Sequence, residues 1–120
     1  MLRILAILSF LVLSAPAAPT CAADVAGSVV GQAVYKKNCV TCHGEKLDGM
    51  GDAGKYMKPL PRNLLSEPFK KGDSESEIFT TVTNGIKDTG MASFASLPEA
   101  DRKAVAQYLF SARQKAKGSK

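Results

Sequence analysis

Two of the chain's three cysteines and its only histidine lie within five residues, Cys39-Val40-Thr41-Cys42-His43. Two thiols three positions apart, followed at once by an imidazole, suit three kinds of chemistry. They could bind a structural zinc ion, form a redox-active dithiol, or attach a haem covalently. In the last case the thiols add to the two haem vinyl groups and the imidazole becomes an axial ligand of the iron.

The three alternatives make different demands on the rest of the chain. Structural zinc usually takes four ligands from two paired clusters, whereas this chain has one cluster and no second histidine. A thioredoxin-like dithiol belongs in a βαβ setting, but the flanking sequence has helical periodicity. The C-x-x-C-H pattern is typical of c-type haem attachment. It therefore favours one haem c, covalently bound to Cys39 and Cys42, with His43 as an axial ligand.

A haem iron held by His43 needs a sixth ligand or an open position. Methionine is the first candidate, since a Met/His pair is a known haem ligation. Met50 and Met57 follow His43 closely, so the chain has little length in which to reach the other face of the haem. Met91 lies in the later segment NGIKDTGMASF. We therefore predict that Met91 is the second axial ligand.

The N-terminus has the layout of a secretory signal. Arg3 precedes an apolar run, Ile4–Leu13, and small residues and prolines follow. Cleavage after Ala23 would make residues 1–23 a signal peptide and residues 24–120 a monohaem domain. This predicts a periplasmic protein with no membrane span after cleavage. Cys21 would leave with the signal, although lipid attachment at this cysteine stays open, as does an uncleaved anchor helix.

Residue periodicity places these groups in a helical domain. The chain has 120 residues, with 45% hydrophobic and 22% charged, which suits one globular domain. We expect helices over Gly27–Asn38 and Ser74–Thr83, the second with a Ser74–Glu77 capping box. The last helix is expected to begin with a second capping box, Ser96–Glu99, and with Pro98 in its first turn. No segment shows strand alternation, so the predicted class is all-α.

The chain resembles the class I cytochromes c, which are monohaem, secreted electron carriers. The resemblance runs from about Gly31 to Ala112, through the segments GQAVYKKNCVTCHG, KPLPRNL, GMASF and VAQYL. It implies three to five helices wrapped around one covalently bound haem, with the N- and C-terminal helices crossing. Gly31, Tyr35 and Tyr108 match the residues at that crossing. It also implies single-electron transfer by a carrier that is not itself an enzyme, or by a subunit of a redox enzyme complex.

Two features of the resemblance bear on the site. The family commonly has proline after the axial methionine, whereas Met91 is followed by Ala92, which predicts a less rigid loop. A labile Met91 would suit the alternative function, a haem sensor, ligand-binding or catalytic subunit. The family also often has a loop proline whose carbonyl accepts a hydrogen bond from the axial histidine. Pro59 and Pro61 both fit this role, and the choice between them stays open.

The charge of the chain points to its partners. The formal net charge is +5. A basic surface near the haem would steer the protein onto acidic docking surfaces of redox proteins such as a dehydrogenase, a reductase or a terminal oxidase. The lysines that would form this surface are Lys36, Lys37, Lys46, Lys55, Lys58, Lys70 and Lys71. The protein is expected to be a monomer and not to bind nucleic acid, since no nucleic-acid-binding motif is present.

Overall fold

The computed structural model describes residues 21–119, with side chains from Ser28 onward. The predicted signal peptide lies almost wholly outside this range, so its cleavage stays a prediction. The helices are α1, Cys21–Asn38; α2, Val40–His43; α3, Glu75–Asn84; and α4, Glu99–Gly118, with a short 3-10 helix at Gly54–Tyr56 between α2 and α3. Residues 21–119 contain no strand, which confirms the predicted all-α class.

Helices α1 and α4 cross with their backbones in close contact. A β-carbon added at Gly31 would collide with the Ala104 carbonyl and would lie 2.6 Å from Tyr108 Cβ. Beside this point the rings of Tyr35 and Tyr108 pack with their centroids 5.8 Å apart. Glycine normally costs about 1 kcal/mol inside a helix relative to alanine. Here it allows the close crossing, as the resemblance implied.

The hydrophobic core lies between α1, α3 and α4. Val34 and Tyr35 enter it from α1, and α3 adds Ile78 and Val82, which are four residues apart. In α4 the buried apolar stripe is Val105, Ala106 and Leu109. Val30, four residues before Val34 on α1, is 48% exposed and is not part of this core.

The two predicted capping boxes have different outcomes. In α3 the Glu77 N–H donates to Ser74 Oγ and the Ser74 N–H donates to Glu77 Oε2, at 3.3 and 3.0 Å. The box at Ser96 and Glu99 is wrong, and so is Pro98 in the first turn. Pro98 itself is the N-cap residue, because its carbonyl accepts the first helical hydrogen bond, from Arg102 N–H at 3.1 Å.

Candidate functional site

The single turn of α2 brings the three motif side chains together. The N–H groups of Cys42 and His43 both donate to the carbonyl of Cys39, at 3.2 and 2.9 Å. Residues three and four apart in such a turn share one face. Cys39, Cys42 and His43 accordingly all line one cavity.

A glycine-rich loop closes the C-terminal end of this turn. The N–H groups of Gly51 and Gly49 donate to the carbonyls of Cys42 and His43, at 3.2 and 2.8 Å. These carbonyls have no partner within the helix, so the loop satisfies them. A β-carbon at Gly51 or Gly54 would collide with the backbone of α2. The glycines therefore hold the α2 turn in place, a role that the sequence analysis missed.

The imidazole of His43 is oriented by the main chain of Arg62. Nδ1 lies 3.3 Å from the Arg62 carbonyl oxygen. Because a carbonyl only accepts, Nδ1 carries the proton and donates it, which leaves the lone pair of Nε2 for a metal. Burial lowers the pKa of His43, and the Arg62 carbonyl opposes this more weakly. The ring is therefore neutral at neutral pH, the form that binds iron.

The partner of His43 is thus neither of the two predicted prolines. Pro59 and Pro61 both line the cavity, but the contact to Nδ1 comes from the next residue, Arg62. The Pro61 carbonyl lies against Gly49, where any β-carbon would strike it. The next carbonyl in the chain, that of Arg62, is the one that faces His43. This choice depends on tertiary packing, which a local sequence pattern cannot show.

The Cys39 thiol does not have the lowered pKa of a redox-active cysteine. Burial, and then the neighbouring Cys42, raise the pKa of Cys39 to about 11. Catalytic dithiols instead depend on a lowered pKa, because the thiolate is the nucleophile. The zinc alternative also lacks support among the side chains that the structure describes, since no three His, Cys, Asp or Glu side chains of residues 28–119 are grouped to hold a metal ion.

Met91 lines the same cavity from a different segment, the loop that follows α3. Its main chain is held on both sides. The Met91 N–H donates to Thr89 Oγ1 at 3.1 Å, and its carbonyl accepts from Ile86 N–H at 3.0 Å. The Thr89 hydroxyl donates in turn to the Ile86 carbonyl, at 2.7 Å. These bonds restrain the loop although Ala92 stands where the resemblance leads one to expect proline.

Met50 and Met57, the other two methionines within residues 21–119, differ in position. Met50 is 65% exposed and is not part of the cavity wall. Met57 is half-buried and lines the cavity with Met91. Both residues follow His43 closely in the sequence, and only the structure distinguishes them.

The cavity has a volume of about 340 Å³ and a mostly apolar wall. The cationic side chains in this wall are Arg62 and Lys70, and no carboxylate lines it. A haem is a flat apolar ring with two carboxylates, so it matches an apolar wall with cations. The donor set also fits, with two thiols, an imidazole nitrogen and a thioether. The apolar lining includes Leu64, Phe69, Ile78, Val82, Ile86, Phe94 and Leu109.

Comparison with known proteins identifies the family. The family model described as cytochrome C oxidase, cbb3-type, subunit III matches residues 29–109. The chain belongs to this family. It is therefore a c-type cytochrome domain, which carries covalently bound haem and transfers electrons through it. The resemblance to c-type cytochromes in the sequence is confirmed.

The relatives of this domain are proteins much longer than the region that they share with it. It is 42% identical over 59 residues to the cbb3-type cytochrome c oxidase subunit CcoP of Cereibacter sphaeroides, covering 49% of this chain and 18% of that protein. It is 30% identical over 86 residues to the corresponding subunit of Azospirillum brasilense, covering 72% and 28%. The matched region thus spans less than a third of either relative.

A solved structure has a similar fold. A chain of the Kuenenia stuttgartiensis reducing HAO-like protein complex superposes with a TM-score of 0.61 and 31% identity, over 69% of this chain and 41% of that one. This supports the cytochrome c fold of the domain. Within residues 21–119 no helix combines the length and hydrophobicity needed to cross a bilayer.

Proposed function

We propose that this domain transfers single electrons through one haem c that is bound to Cys39 and Cys42 and ligated by His43 and Met91. One observation carries the proposal: these four side chains, from α2 and from the loop after α3, line one apolar cavity. The thiols of Cys39 and Cys42 would form the two covalent bonds to the haem. The imidazole of His43 and the sulfur of Met91 would be the axial ligands. The haem contributes a one-electron couple.

The protein groups would favour electron transfer over bond-making chemistry. His43 and Met91 together fill both axial positions, which leaves none for a substrate. The bond from His43 Nδ1 to the Arg62 carbonyl holds the imidazole ring, and the bond from the Met91 N–H to Thr89 Oγ1 holds the Met91 main chain. Methionine ligation and an apolar wall raise the reduction potential, because both disfavour the extra positive charge of ferric iron.

The partners and location follow from the relatives and the N-terminal pattern. The curated relatives are named as oxidase subunits, so a terminal oxidase is a fitting electron acceptor for this domain, as a subunit or as a mobile carrier. The signal-like residues 1–23 support export of residues 24–120 to the periplasm. Acidic docking surfaces on the partner would complement the exposed lysines.

The visible spectrum of the oxidised, matured protein tests the ligation. A weak absorption band at the red end of this spectrum, called the red band below, reports a methionine–ferric iron bond. We expect this band in the native protein. Met91→Ala should abolish it, whereas Met50→Ala should leave it unchanged, since Met50 is 65% exposed and outside the cavity. Native protein without the band and with high-spin iron would contradict the proposal and would indicate a ligand-binding or catalytic haem.

A further inference from the structure

The side chain of Met57 extends from the segment after α2 to the loop that carries Met91. It directly follows the 3-10 helix, and its N–H donates to the Gly54 carbonyl at 3.0 Å. From this fixed backbone the side chain reaches Gly90. A β-carbon added at Gly90 would lie 2.8 Å from Met57 Cε and 3.1 Å from Sδ. The thioether therefore rests directly on the residue before Met91.

The glycine at position 90 is explained by this contact. Its φ lies outside the left-handed region, so the backbone conformation does not require glycine. The three atoms nearest to the added β-carbon all belong to Met57. Absence of a side chain at position 90 thus makes room for one group, the end of Met57.

This contact connects two parts of the cavity wall, the segment after α2 and the loop that carries Met91. Among the residues that the structure describes, no hydrogen bond joins these two parts. The hydrogen bonds of the Met91 loop, residues 85–98, run within the loop, through Ile86 and Thr89, back to α3, through Val82 and Thr83, or on to α4, through Arg102. Met57 instead belongs to the segment that follows α2. Methionine suits such a contact, since its flexible, polarisable thioether adapts to an irregular surface.

We propose that Met57 is a positioning residue that holds the Met91 loop closed over the cavity and so controls how readily an external ligand replaces Met91 on the iron. This inference rests on the proposed His43/Met91 ligation. The Met57 side chain restrains Gly90, and through it the adjacent Met91. Loss of the contact frees the loop to move away from the cavity.

Imidazole binding to the oxidised, haem-loaded protein tests this role. Added imidazole competes with Met91, and its dissociation constant is measured from loss of the red band. We expect Met57→Ala to tighten imidazole binding at least several-fold. Met57→Leu, of similar volume, should restore most of the native value. Met50→Ala is the matched control and should bind imidazole as the native protein does, because Met50 lies outside the cavity wall.

A double-mutant cycle with Gly90 separates this role from general stability. Gly90→Ala should also tighten imidazole binding, because the new methyl group displaces the end of Met57. In the Met57→Ala background the same change should have little effect, so the two effects should not add. Additive effects, or native imidazole affinity in Met57→Ala, would overturn the proposal. A variant with a lower melting temperature but native affinity would show a merely structural role.

Two measurements separate the role of Met57 from the His43/Met91 ligation itself. If the native protein lacks the methionine–iron band, the His43/Met91 ligation itself is wrong. If the native band is present and Met57→Ala leaves imidazole binding unchanged, the ligation stands and only the role of Met57 is rejected.

Discussion

The guanidinium of Arg113, which is 2% exposed, donates two hydrogen bonds to Asp73 Oδ2, at 3.0 and 3.2 Å. A third bond runs from Nη1 to the Leu64 carbonyl at 3.0 Å, and the guanidinium carbon lies 4.4 Å from the Phe69 ring centroid. Arg113 thus ties α4 to the segment that contributes Leu64 and Phe69 to the cavity wall. A buried cation is tolerated because its donors are satisfied.

Asp73→Asn should destabilise the protein at neutral pH but not in acid. The Phe69 N–H, together with Lys117 and Arg113, lowers the pKa of Asp73. A carboxylate with a lowered folded-state pKa contributes stability above its unfolded pKa of about 3.9, and this is lost as the pH falls through the folded value. We expect a loss of about 1–3 kcal/mol at pH 7 in urea unfolding, shrinking below pH 4.

Asp52→Asn is the control for this experiment. Asp52 pairs with Lys55 at 3.6 Å, but its side chain is fully exposed. Exposed pairs contribute little to stability, typically under about 1 kcal/mol. Equal losses in the two variants, or an Asp73→Asn loss that persists in strong acid, would contradict the assigned role of Asp73.

Gly31→Ala should lower the stability of the haem-loaded protein. The new methyl group meets the Ala104 carbonyl, which is backbone and cannot rotate away, so α1 and α4 must separate. Overpacking of this kind costs about 1–3 kcal/mol, which exceeds the helix-propensity gain of about 1 kcal/mol. Thermal unfolding measures the effect. Gly118→Ala is the matched control, since nothing lies within 4 Å of a β-carbon there, and it should not lower the melting temperature.

Lys70→Gln and Arg62→Gln should each lower the reduction potential. Arg62 Nη1 donates to the Pro68 carbonyl at 2.5 Å, which places its guanidinium beside the segment leading to Lys70. Cations on the cavity wall favour the reduced haem, which is less positive. A charge interaction of about 1 kcal/mol corresponds to roughly 40 mV for one electron. The carbonyl that binds His43 is main chain, so Arg62→Gln retains it.

Redox titration measures these shifts, with Lys71→Gln as the control. Lys71 is exposed and is not part of the cavity wall. A shift in Lys71→Gln as large as that in Lys70→Gln would show a general effect of net charge rather than one of position.

Electron transfer to an acidic redox partner should slow as salt is added. All seven lysines of the predicted basic surface are exposed, and Lys58 lies between the cavity-lining residues Met57 and Pro59. Lowering the Debye length from about 30 Å to about 8 Å should reduce the association rate about tenfold or more. Lys58→Glu should reduce it more than Lys115→Glu, since Lys115, in the last turn of α4, is not part of the cavity wall. Association rates that do not change with ionic strength would contradict electrostatic steering by these lysines.

The sequence predictions were most accurate for interactions between residues that are close together in the sequence. Cys39, Cys42 and His43 were predicted together from the C-x-x-C-H pattern, and their spacings of three and four residues put them on a common face of one turn. The Ser74–Glu77 capping box is equally local, and the structure confirms it. The box at Ser96 and Glu99 failed because Pro98, with its extended backbone, became the N-cap residue itself.

The sequence by itself determined the chemistry of this protein: the thiol and imidazole donors, the helical class and the family. The tertiary structure alone decided which main-chain carbonyl holds His43, which methionines reach the cavity and which loop residues they contact. Arg62 and His43 are 19 residues apart, and Met57 and Gly90 come from different walls. Such pairs form only when packing of α1, α3 and α4 brings distant segments together, so no local spacing in the sequence encodes them.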